Sequence, residues 1–235
     1  IGKAMAIVED LIYNAEPDEE ILENLKADML KSRADNKLNQ GRCFNALQRY
    51  IMLGPEFIKK TVLPNDVLAN ITSEELLTKV RDLMGYRHEI LYYGPESVEK
   101  LKQTLKTNHK VSAELKPLEV THPQYRMTPK NEVFMAQYDA QQIYYLQFSN
   151  RGETLDLSPD AGLTLYNEYF GSGMNSIVFQ EMREARGLAY SANAVLFEPS
   201  YKEDSYTYYA FIATQNDKMR TAIEAFDEII NDMPE

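Results

Sequence analysis

The sequence predicts an α+β fold in which mainly antiparallel sheets are covered on one face by helices. Three observations carry this. Helical periodicity dominates the first half, whereas the second half mixes helical stretches with runs rich in Tyr, Phe, Ile and Val, and segregated runs of this kind build α+β layers. Residues 107–129 hold Pro117, Pro123 and Pro129, fit neither period, and read as an extended connector. A hydrophobic fraction of 44% over 235 residues is enough for a sizeable core, in one large domain or two small ones.

In the first half, Ile1, Met5, Val8 and Ile12 fall near one face of a helix over residues 1–13. Residues 14–18 break it. Pro17 suits the first turn of the next helix, where Asp18, Glu19 and Glu20 complement the N-terminal dipole. Ile21, Leu22, Leu25 and Met29 then recur at helical spacing, and the helix runs to about Lys37. Asn39-Gln40-Gly41 weakens the pattern before a further segment through Phe44, Leu47 and Ile51, which Gly54-Pro55 closes. Thr72 and Glu75 predict a capping box, with Ile71 stapled to Leu76 and a helix that ends at Gly85. Residues 89–93 read as a short strand, and a helix follows from Pro95 to about Leu105.

Beyond the connector, residues 132–138 and 142–148 read as a strand pair bent at Asp139-Ala140. Ser158-Pro159-Asp160 starts a helix to about Phe170. Gly171, Ser172 and Gly173 form a hinge, and a second helix over about residues 175–186 is stopped by Gly187. Strands follow over residues 188–197 and 206–214. Asn216-Asp217 caps a last helix ending near Pro234. Alternation along the last strand puts Tyr206 and Tyr208 on one face and Tyr209 on the other. Most of these tyrosines read as core or cross-strand partners, with acceptance of an extended peptide at a strand edge as the alternative.

The charge bounds the partners. A formal net charge of -11 argues against nucleic acid and anionic membranes, which both need a cationic surface. No run approaches the roughly 20 apolar residues of a membrane span. The single cysteine, Cys43, allows no intrachain disulfide and no thiolate cluster, and reads as a small buried filler. No signal peptide is visible, and the chain opens with Ile1 in mid-element, so it is expected to be a piece of a longer protein. A soluble protein of the bacterial periplasm or cytoplasm fits this composition.

Two candidate sites face simple tests. His88, His109 and His122 do not pair at the i, i+3 or i, i+4 spacing that puts two imidazoles on one helical face, so no metal site is expected here. Gly171-Ser172-Gly173 lacks the lysine and glycine spacing of a phosphate cradle. Arg183 and Tyr190 are more informative. Arg183 lies late in a helix and Tyr190 just inside a strand, and Gly187 lets the chain turn sharply between them. A guanidinium and a phenol aimed at a carbonyl that gains negative charge can stabilise the oxyanion. Glu181 and Glu184 flank Arg183 and can pair with it. Composition and spacing alone favour the plainer reading of a solvated arginine and a sheet aromatic.

The surrounding sequence adds to this. Gly171-Ser172-Gly173-Met174, Phe179-Gln180-Glu181-Met182-Arg183 and Gly187-Leu188-Ala189-Tyr190-Ser191 resemble a signature of the insulinase/pitrilysin family of zinc metallopeptidases. The family's zinc motif, His-x-x-Glu-His, occurs nowhere in the chain. The resemblance therefore implies a non-catalytic, C-terminal-type portion that is inert alone, holds no cofactor itself, and works with a zinc site in another domain, in cis or in trans. It implies that Arg183 and Tyr190 reach toward a peptide substrate bound at that zinc. It also implies two half-domains of a repeat: residues 1–106 as the helical back half of one, 107–130 as linker, and 131–235 as the front half of the next. Such halves are expected to complete their sheets on each other or on a second copy, as a homodimer. The alternative is an inactive, peptidase-like partner subunit or structural scaffold.

Overall fold

The computed structural model describes residues 1–118, 122–154 and 161–233, and the chain divides into two compact units. The first comprises residues 1–34 and 63–122 and the second residues 35–62 and 123–235.

The first unit is helical. It contains α1 (Gly2–Asn14), α2 (Glu19–Lys37) as far as Ala34, α4 (Asn65–Asn70), α5 (Ser73–Leu83) and α6 (Val98–Asn108). Side-chain caps set the starts of α2, α5 and α6. Asp18 Oδ1 accepts the Ile21 amide at 2.9 Å, so Asp18 caps α2 and Pro17 lies outside the helix. Thr72 and Glu75 form the expected capping box, with Thr72 accepting from the Glu75 amide and the Glu75 carboxylate accepting from the Thr72 amide. Ser73 donates its amide and its hydroxyl to Glu19 Oε1 at 2.9 and 2.7 Å, which ties the start of α5 to the start of α2. Leu22 and Lys26 of α2 and Leu68 of α4 are buried, and Lys26 Nζ donates to Ala69 O at 3.2 Å.

The strand expected over residues 89–93 is absent. That segment is irregular, with Leu91 and Tyr93 fully exposed, and the nearest pairing is the isolated parallel bridge Tyr86–Lys116. A run of β-formers without a partner strand has no ladder to satisfy its backbone.

The second unit is built on a three-stranded antiparallel sheet. Its strands are β1 (Gln142–Ser149), β2 (Ser191–Phe197) and β3 (Thr207–Gln215), in the order β1-β3-β2. On one face Ala192, Ala194, Ala210 and Ile212 pack against Phe226 and Ile229 of α9 (Met219–Asn231) and against Phe170, Val178 and Met182. The small alanines let these helical residues approach the sheet closely. Tyr145 and Tyr208 pack against the same cluster. The opposite face carries Tyr144 and Phe211, which meet Phe44 of α3 (Gln40–Thr61) at ring distances of 5.4 and 5.8 Å. Tyr209, also on this side, accepts from Gln48 of α3 at 3.2 Å. The alternation read from the sequence for Tyr208 and Tyr209 therefore holds.

Other expectations fare differently. Gly54, at φ 82° and ψ 168°, ends the helical segment as expected, and a second helical stretch follows the kink from Pro55 to Thr61 within α3. Residues 132–138 form no strand. Val133 and Met135 there are exposed, and β1 takes β3 as its partner instead. Ser158-Pro159-Asp160 and Pro234 lie outside the described residues, whereas α7 (Ala161–Phe170) and α9 are in place. Among the described residues no helix is long and apolar enough to cross a membrane.

Candidate functional site

The segment that bears Arg183 opens with a fixed loop. Ser176 is fully buried, its hydroxyl bonds Gly173 O at 2.9 Å, and it caps α8 (Ile177–Phe179) through the Phe179 amide. Gln180 Nε2 donates to Met174 O at 2.6 Å. Gly173 has φ +84° and Gly187 φ +57°, a backbone region that side chains rarely tolerate. Gly171 is different. A Cβ there would stand 1.9 Å from Ala194 O, so its role is close approach to β2.

The helix expected over residues 175–186 is mostly not an α-helix. After the single turn of α8 the chain continues as a π-helical turn over Gln180–Ala185, with Arg186 N bonding Glu181 O at 3.2 Å. Wide turns of this kind concentrate at functional sites. Gly187, in the left-handed region, then closes the helix by an amide bond to Arg183 O at 3.2 Å. Leu188 and Ala189 both donate to Met182 O, and Tyr190 donates to Ala213 O at 2.8 Å as the chain enters β2. Met182 is fully buried and Ala189 nearly so. Core packing thus grips the residues beside Arg183 and Tyr190 and leaves those two side chains outside.

The two side chains meet. The Arg183 guanidinium carbon lies 5.6 Å from the Tyr190 ring centroid and 5.0 Å from that of Phe179. Phe179, four residues before Arg183, was not among the expected site residues, although an aromatic at that spacing on a helix is a readable signal. Arg183 Nε also lies 3.6 Å from Glu184 Oε1. A cation–π contact with two rings uses none of the guanidinium's N–H donors as conventional hydrogen bonds. Tyr190 is 71% exposed, so the pair stands on an open surface. A nearby hollow lined by Arg186, Leu188, Thr221 and Glu224 includes neither of them.

The neighbouring strand edge is partly closed. Ala194 N donates to Gly171 O at 3.2 Å, and Leu196 exchanges two hydrogen bonds with the Asn167 side chain at 2.9 and 3.0 Å. An extended peptide would therefore find β2 occupied at Ala194 and Leu196. Among the described residues no group of three His, Cys, Asp or Glu is arranged to hold a metal ion, so these residues do not fit a catalytic zinc centre.

Known proteins share this fold. No curated protein matches the chain significantly. Several solved structures share its fold. The peptidase M16 inactive domain from Pseudomonas fluorescens matches at TM-score 0.63 and 17% identity, over 99% of this chain and 57% of that one. The ferredoxin protease FusC, in a variant bound to Arabidopsis ferredoxin, matches at TM-score 0.67 and 12% identity, over 99% of this chain and 26% of that one. A conserved protein from Enterococcus faecalis matches at TM-score 0.64 and 13% identity, over 100% of this chain and 57% of that one. The chain therefore spans little more than half the length of two of these proteins and about a quarter of the third. The family model of the peptidase M16 inactive domain matches residues 70–234. With more than half of its length in that match, this chain belongs to the peptidase M16 inactive-domain family.

Proposed function

We propose that this chain is the non-catalytic, substrate-binding portion of a zinc-dependent peptidase whose zinc site lies in another domain, in cis or in trans. The observation that carries the reading is the cluster of Phe179, Arg183 and Tyr190, in which the guanidinium carbon lies 5.0 and 5.6 Å from the two ring centroids and Tyr190 is exposed. The π-helical turn and the Gly187 bend fix the backbone beneath it. Peptide-bond hydrolysis is chemistry that the metal of the other domain would supply. The part of this chain is to receive a polypeptide. The Arg183 edge and the Tyr190 hydroxyl donate hydrogen bonds to a substrate carbonyl and stabilise charge that develops there. Because the pair lies on open surface, water exclusion depends on closure against the catalytic domain. A ferredoxin protease of similar fold is seen bound to a protein, which supports a polypeptide as the ligand class.

Titration of the isotope-labelled chain with an unstructured peptide tests this. Amide shifts centred on Phe179, Arg183 and Tyr190, and lost in Arg183→Ala, are expected. Saturable binding that leaves those amides unmoved contradicts the reading.

A further inference from the structure

We propose that His88 and His109 form a binding site for a divalent transition-metal ion, built wholly within the first unit. His88 follows α5, and His109 is the C-cap of α6. Their Nε2 atoms stand 2.8 Å apart. The other nitrogen of each ring is already held: His109 Nδ1 lies 2.6 Å from Glu9 Oε1, and His88 Nδ1 lies 2.8 Å from the Tyr86 carbonyl oxygen. A carbonyl oxygen only accepts, so His88 Nδ1 donates. Glu9 is a buried acceptor on α1 that also takes the Lys110 amide through both oxygens, at 3.0 and 3.1 Å, so His109 Nδ1 donates as well. Both tautomers are thereby set, and Nε2 is the atom of each ring left to ligate. A carboxylate on one Nδ1–H and a backbone carbonyl on the other are the partners that orient imidazole ligands and raise their basicity.

Two Nε2 lone pairs at 2.8 Å are satisfied by one hydrogen between them, and an incoming ion displaces that proton. Adjacent nitrogens on a square-planar or octahedral ion, with bonds of about 2.0–2.1 Å, stand about 2.8–3.0 Å apart, against about 3.3–3.4 Å on a tetrahedral ion. Imidazole nitrogens completed by water suit Cu2+ and Ni2+, and Cu2+ stands highest in affinity among the divalent first-row ions. The rings meet nearly end to end, with centroids 5.0 Å apart, so binding requires the exposed His88 ring to swing until both lone pairs converge. His88 can do this because it lies in an irregular segment, whereas Glu9 fixes His109. Among the described residues no third ligand joins them, so water completes the coordination and the site remains open.

Calorimetric titration of the full chain with Cu2+ and with Ni2+, each in a non-chelating buffer, tests the proposal. One ion per chain is expected, Cu2+ binding more tightly than Ni2+. His88→Asn and His109→Asn are each expected to weaken binding at least about tenfold, Glu9→Gln by about ten- to a hundredfold, and His122→Asn not at all. Paramagnetic broadening of the unaltered chain by Cu2+ should centre on residues around 88 and 109, a readout that does not depend on any variant folding. Absence of saturable binding, broadening centred elsewhere, or unchanged affinity in a folded His88→Asn/His109→Asn chain would overturn it.

Discussion

The backbones of Gly171 and Ala194 touch: a Cβ on Gly171 would stand 1.9 Å from Ala194 O and 2.7 Å from Ala194 N. The contact locks the loop before α8 onto β2, and with it the base of the Arg183 turn. Backbone atoms cannot yield as a flexible side chain would. Gly171→Ala should therefore destabilise the second unit by about 1–3 kcal/mol or more, the range of overpacked cores. Thermal unfolding measures this, and an unchanged midpoint would show that the loop gives way freely.

Gly187 and Gly173 should respond more mildly. Both have positive φ, yet nothing lies within 4 Å of an added Cβ at either. The cost of Ala at each position is the left-handed backbone alone, about 1–2 kcal/mol. Gly187→Asn should cost less than Gly187→Ala, because Asn tolerates this region better. Urea unfolding of the variants would separate backbone strain from steric contact.

The capping box at the start of α5 and the helices α1, α2, α5 and α6 were legible in the sequence because they rest on neighbours within four residues, whereas the short α4 was missed. Thr72 and Glu75 satisfy each other whatever the rest of the chain does. Strands were less legible. Residues 132–138 and 142–148 carry similar β-forming side chains, and only the second run finds a partner, in β3, more than sixty residues away. The π-helical turn was invisible to periodicity over so few residues, and the closeness of Gly171 to β2 was a tertiary contact read as a hinge. Arg183 and Tyr190 were singled out by family likeness, and the turn at Gly187 does bring their side chains together. Phe179, the second ring against Arg183, was overlooked despite its helical offset.

Thr72→Ala should remove the α5 cap and cost about 1 kcal/mol in the first unit. The Thr72 backbone and side chain hold the Glu75 carboxyl below its ordinary range. The sign follows. A lowered folded pKa gives stability that is present above the unfolded value and lost as pH falls. Amide exchange at the start of α5 should therefore quicken on acidification through the carboxylate range, and Thr72→Ala, which keeps the backbone donor, should flatten that response only in part.

Tyr208 and Tyr209 should diverge. The Tyr208 hydroxyl is buried with no hydrogen-bond partner among the described residues, whereas Tyr209 meets Gln48 Nε2 at 3.2 Å. Tyr208→Phe should leave stability unchanged or slightly higher, and Tyr209→Phe should cost about 0.5–1.5 kcal/mol. Burial raises the phenol pKa of Tyr208, Tyr209 and Tyr166. A raised folded value means that stability is fully present below the unfolded pKa of about 10 and is lost as pH rises above it. Urea midpoints should fall above about pH 10, and less steeply in Tyr208→Phe.

The central claim concerns Arg183 and Tyr190, and peptide-hydrolysis kinetics of the assembled enzyme, with its catalytic domain present, test it most directly. Loss of one oxyanion donor typically costs about a hundred- to a thousandfold in kcat. Arg183→Ala and Tyr190→Phe should each lower kcat on that scale, with unfolding midpoints unchanged because both side chains lie outside the core. Wild-type turnover in both variants would contradict the account.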